Sequence, residues 1–105
     1  NGLEHLENSK VIFIDDFKKK CLEDNLRIMR FIRFCALFEF PIYPDEYIGF
    51  FLKNRNLILN LKQNKISNEV EKALSYQHKE NTISILKKLK IESFVFEKFS
   101  FLLQK

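Results

Sequence analysis

Three arginines recur at every third position, Arg27, Arg30 and Arg33, and two acids, Glu23 and Asp24, stand immediately before them. On a helix this spacing sweeps the three guanidinium groups over one arc of about 120°, and Glu23 projects onto the same arc. Arginine offers a planar fork of donors that matches carboxylates, phosphates and base edges, where lysine offers a point charge. The chain is rich in lysine, yet three of its four arginines lie on this arc. A charged stripe is ordinarily a solvated helix face, and the choice of arginine is what favours a ligand of fixed geometry.

Asp24 and Arg27 add a second kind of chemistry. Cytosine and adenine share an exocyclic amino donor beside a ring-nitrogen acceptor, whereas uracil and guanine present an oxygen acceptor and an N–H donor. A carboxylate accepts from that amine, and a guanidinium one turn away donates to the ring nitrogen. Facing uracil, the carboxylate would meet a carbonyl oxygen, and two buried acceptors together carry a penalty of about 1–3 kcal/mol. The same residues have a plainer reading, in which Glu23 and Asp24 are helix-start acids and Arg27 pairs with Glu23 at i, i+4 for a few tenths of a kcal/mol.

The elements that must position these groups are mostly helical. Val11–Ile14 is a short β-branched and aromatic run that reads as extended, ended by Asp15-Asp16. Residues 24–38 contain no glycine or proline, Asp24 is a plausible N-cap and Pro41 lies just past the end, so a helix of about four turns is expected. Its other faces carry Ile28, Met29, Phe31, Ile32, Cys35, Ala36 and Phe38, which makes it a central, largely buried helix. Pro44-Asp45-Glu46 opens a second helix towards Lys53. Residues 64–76 and 82–90 carry apolar side chains at helical spacing, and residues 93–103 are read as a closing helix.

Composition agrees with that class. At 105 residues and 46% hydrophobic the chain can bury one modest core. Two glycines and two prolines leave little material for hairpins, so an all-α domain is expected over an all-β one. The net charge of +4 is compatible with a nucleic-acid partner without requiring one. Lys18-Lys19-Lys20 can track a phosphate backbone, although a solvated lysine run is commoner. Cys21 and Cys35 form no disulfide framework, and with His5 and His78 they make no metal-ligand pattern, so a reducing compartment is expected and the thiols are read as inert. His78 falls between helices and is expected to be exposed. No uncharged run, Phe34–Phe38 among them, approaches the length of a bilayer span, and no signal peptide is expected.

Several motifs in order resemble one family. Residues 23–34, EDNLRIMRFIRF, look like the E-D-x-x-R-x-x-R-x-x-R-F signature of the tRNA nucleotidyltransferases, the CCA-adding enzymes, and of the related bacterial poly(A) polymerases. Asn1-Gly2-Leu3-Glu4-His5-Leu6 resembles the N-G-x-x-D-L hinge that joins the family's catalytic head to its neck. Phe38-Glu39-Phe40-Pro41-Ile42 with Pro44-Asp45 resembles the F-x-F-x-I-x-P-D/E step, and Leu61 to Leu74 resembles L-S-x-E-R-I-x-x-E-x-x-K-x-L. His5 replaces an aspartate of the hinge, and Asn64-Lys65 replaces a Glu-Arg pair that braces the neck, while Glu69 remains.

The resemblance implies a fragment with a division of labour. Residues 1–17 correspond to the hinge and the remnant of the head's last strand, and residues 18–105 to a helical neck and start of body that binds nucleotide and RNA. Asp24 and Arg27 are implied to read the base of incoming CTP or ATP, assisted by Glu23. Arg30 and Arg33 contact triphosphate or RNA backbone, with bracing against Glu69 or Glu71 as the alternative, and Lys18, Lys19 and Lys20 are candidate RNA contacts. The partners implied are CTP or ATP, the 3′ end of tRNA or another RNA, and a catalytic head in cis or in trans, with no membrane. The family's D-x-D carboxylates, which hold magnesium, are absent from this sequence, so Mg²⁺ is expected only through such a head and the chain is expected to be inactive alone. A cytoplasmic location is expected, or the mitochondrial matrix for a eukaryotic source. The alternative function is a non-catalytic RNA-binding or structural module.

Overall fold

The computed structural model describes residues 3–5, 9–13 and 16–91. Two short strands, β1 (Leu3–His5) and β2 (Ile12–Phe13), pair antiparallel with Leu3 opposite Phe13 and His5 opposite Ile12. Beyond them the described chain is helical: α1 (Phe17–Glu23), α2 (Leu26–Phe34), α3 (Glu46–Lys53), α4 (Asn56–Leu59), α5 (Gln63–Leu74) and α6 (Lys79–Lys88). One 3₁₀ turn, Cys35–Leu37, prolongs α2. The all-α class is therefore what the sequence predicts, and the closing helix expected over residues 93–103 lies outside the described residues.

Two helices depart from the sequence reading. The lysine run, to which the sequence reading assigns no element, forms part of α1, started by Asp16, whose Oδ1 accepts the N–H groups of Lys18 and Lys19 at 3.0 and 3.4 Å. Phe17 and Cys21 are buried one turn apart while the lysines point outward, so a single apolar pair anchors it. Asp24 is extended and ends α1, which places Glu23 on α1 and not on the arginine helix. Asp24 nonetheless does the capping expected of it, accepting the Leu26 N–H on Oδ1 at 3.1 Å. The one-turn α4 was not anticipated either; Ile58 buries it.

The core forms around α2, whose Ile28, Met29, Phe31 and Ile32 are all buried. Phe31 packs against Phe13, Tyr47 and Phe51 at ring separations of 5.9, 5.4 and 5.5 Å. Tyr47 also accepts the Phe13 N–H at 3.1 Å, tying β2 to α3 inside this aromatic cluster. Helices otherwise leave their last carbonyls without partners, and here α6 supplies them. Thr82 Oγ1 donates to the Ile32 carbonyl at 2.8 Å and Asn81 Nδ2 to that of Phe38 at 2.6 Å, while the His78 N–H donates to Ala36 at 3.0 Å. His78 is therefore half-buried, contrary to the exposed position expected, because its backbone is pulled onto the end of the arginine helix.

Candidate functional site

The arginine stripe divides between two neighbours. Steps of three residues turn it by about 60° each time, so its two ends face different helices. Arg27 faces α1: its Nη1 donates to the Lys20 carbonyl at 3.1 Å and stands 3.6 Å from the Glu23 carboxylate. Arg33 faces α5, donating from Nε to Glu69 Oε1 at 3.2 Å, and its Nη1 donates to the hydroxyl of Tyr76, just past the end of that helix, at 2.7 Å. Its guanidinium also covers the Phe34 ring at 4.5 Å. Arg33 is thus held on three sides.

Arg30 lies between these two and is held least. Its Nε is 3.9 Å from Glu69, and 34% of its side chain is exposed. Glu69 itself is buried, so one carboxylate of α5 receives the direct bond of Arg33 and only the distant attraction of Arg30. Bracing against Glu69 is therefore present, as the alternative reading of the arginines had it.

At the other end, the break between α1 and α2 brings Glu23, Asp24 and Arg27 together. The Arg27 N–H donates to the Asp24 carbonyl at 3.0 Å, so the two residues are stacked one turn apart at the opening of α2. Both are half-buried. The Leu26 cap fixes one carboxylate oxygen of Asp24, and the bond to Lys20 fixes one terminal nitrogen of Arg27. The second carboxylate oxygen of Asp24 and the remaining N–H groups of Arg27 supply an acceptor and donors, the types of group that an amino-bearing base edge takes up. Lys18 and Lys19 are exposed on α1 and Lys20 is half-buried; the Lys18 ammonium reaches the Phe17 and Phe50 rings at 6.0 Å.

Sequence reasoning missed a cleft between α2 and α5. It has a volume of about 550 Å³, and its wall includes Leu26, Arg30, Arg33, Lys65, Glu69 and Lys72. Lys65, Asn68 and Lys72 form a row at i, i+3 and i+7 on α5, a spacing that points them to one side. That row was the available signal, but isolated lysines on an amphipathic helix ordinarily read as solvated.

Burial pushes the Cys21 and Cys35 thiols up to about 12, with Arg27 lowering and Asp24 raising the Cys21 value as smaller influences. Neither is a thiolate nucleophile at neutral pH. Among the described residues no three His, Cys, Asp or Glu side chains gather as a metal site. Among the described residues Asp16 and Asp24 each cap a helix, and no D-x-D occurs in the sequence. No helix among the described residues is long and apolar enough to cross a membrane. No family model, curated protein or solved structure matches the chain.

Proposed function

We propose that this chain is the base-reading neck and start of body of a tRNA nucleotidyltransferase or poly(A) polymerase, receiving CTP or ATP and the 3′ end of an RNA. The observation that carries the reading is the placement of Asp24 and Arg27 one turn apart at the α1–α2 break, joined by the Arg27 N–H to the Asp24 carbonyl at 3.0 Å. Each is held by a bond that leaves further acceptor or donor capacity. The order of motifs along residues 23–74 supports it. Chemistry at the α-phosphate would come from a catalytic head in cis or in trans, since this sequence carries no D-x-D pair. The direct test supplies labelled CTP and ATP to tRNA lacking its 3′ end, with the chain alone and with a family head domain added. Incorporation only in the combined reaction supports the reading; none in either would contradict it.

A non-catalytic RNA-binding module is the second reading, favoured by the basic cleft between α2 and α5. Binding of RNA without incorporation under any head supplied would select it.

A further inference from the structure

We infer that the cleft between α2 and α5 is a binding site for linked phosphates, contacted by Arg30, Lys65 and Lys72. Four cations, Arg30, Arg33, Lys65 and Lys72, line the cleft with a single carboxylate, Glu69. Arg33 already satisfies Glu69 directly at 3.2 Å and is locked in place by Tyr76 and Phe34. The positive charges of Arg30, Lys65 and Lys72 are left in excess, and neither lysine forms an ion pair among the described residues.

Geometry adds to this. Lys65 and Lys72 are two turns apart on α5, about 10 Å along the axis, so they suit an extended anion with more than one phosphate better than a single ion. Arg30 faces them across the cleft and holds Glu69 only loosely, at 3.9 Å, which leaves its planar fork able to turn onto a phosphate in bidentate fashion. Asn68 stands between the lysines and can donate from its amide. Arg33 positions rather than contacts: by neutralising Glu69 it keeps the floor of the cleft from repelling an anion. Leu26, whose N–H is capped by Asp24, forms one end of the same wall, so a phosphate chain here would begin beside the base-reading pair. The inference nevertheless stands on the cleft and does not require base reading.

Linked phosphates occur as the polyphosphate of a nucleotide and as the backbone of a single strand. Two probes separate them, inorganic tripolyphosphate and a single-stranded oligoribonucleotide, each titrated calorimetrically at low salt. The variant Lys65→Glu with Lys72→Glu alters two exposed side chains of the cleft. Lys79→Glu with Lys87→Glu alters two exposed side chains of α6 that do not line it and changes net charge equally. Circular dichroism verifies that both fold. The cleft variant is expected to lose at least about tenfold in affinity for one probe or both, and the α6 variant less than about twofold. Loss confined to tripolyphosphate identifies a nucleotide polyphosphate, and loss confined to the oligonucleotide identifies a strand. Failure of both probes to bind the unaltered chain, or equal losses in the two variants, would overturn the inference. Tripolyphosphate carries no base, so failure of base reading at Asp24 leaves this result unmoved.

Discussion

Arg33 joins α2 to α5 by donating from Nε to Glu69 Oε1 at 3.2 Å, and only 5% of the Glu69 side chain is exposed. Breaking such a pair strands a buried charge, which ordinarily costs about 3–5 kcal/mol. Arg33→Met is therefore expected to lower stability in urea by about 3 kcal/mol, with Glu69→Gln losing less because an acceptor for Nε remains. An Arg33→Met chain within about 0.5 kcal/mol of the parent would show that the contact is not a brace.

Arg27 is tied down more firmly than its place in a charged stripe suggests. From sequence alone, truncating it should change stability by no more than about 0.5 kcal/mol. Its bond to the Lys20 carbonyl at 3.1 Å raises the expectation for Arg27→Ala to about 1 kcal/mol, since the bond closes the α1–α2 break. Urea unfolding compared with Glu23→Ala, which removes only the half-exposed ion pair, separates the two contributions.

Much of the fold was legible, and the misses share one cause. The arginine helix, α3 and α5 announced themselves through apolar faces, through Pro44-Asp45-Glu46 and through Ile66, Val70 and Ala73. By contrast, α1 shows only Phe17 and Cys21 inward, and α6 begins at Lys79, ahead of its expected start at residue 82, in a first turn whose Asn81 bonds to carbonyls as a polar group. Periodicity of apolar residues cannot register a helix whose buried positions are polar or too few. At the site, the acids and arginines were legible as types, but the division of the stripe between α1 and α5 depends on which helices pack beside α2. The cleft lysines emerged only when α5 was set against Arg30.

Asn81 illustrates what that polar packing is worth. Its amide donates to the Cys35, Phe38 and Glu39 carbonyls at 3.3, 2.6 and 3.2 Å. Asn81→Ala is expected to cost about 1–2 kcal/mol in thermal or urea unfolding, by freeing the end of the arginine helix. An unchanged midpoint would assign those carbonyls to water.

The buried thiols set a pH dependence. Native Cys21 and Cys35 are pushed up to about 12, against an ordinary value of 9.0. Between those limits the unfolded chain has released thiol protons that the native state retains, so this contribution is full below about pH 9 and is lost as pH rises towards 12. The urea midpoint should fall over that range, and should fall less in a chain carrying Cys21→Ala and Cys35→Ala. Equal slopes in the two proteins would contradict the shift.

Base reading by Asp24 is tested most directly by competition between CTP and UTP in the head-supplied reaction, comparing the parent with Asp24→Asn. Asparagine caps a helix as well as aspartate, so the Leu26 N–H keeps its acceptor, while the remaining carboxylate oxygen becomes an amide donor that suits the uracil oxygen. The preference for CTP over UTP is expected to fall by one to two orders of magnitude, about 1–3 kcal/mol, with stability in urea nearly unchanged. An unaltered CTP-to-UTP ratio, or an equal loss for every nucleotide, would make Asp24 a helix cap and nothing more.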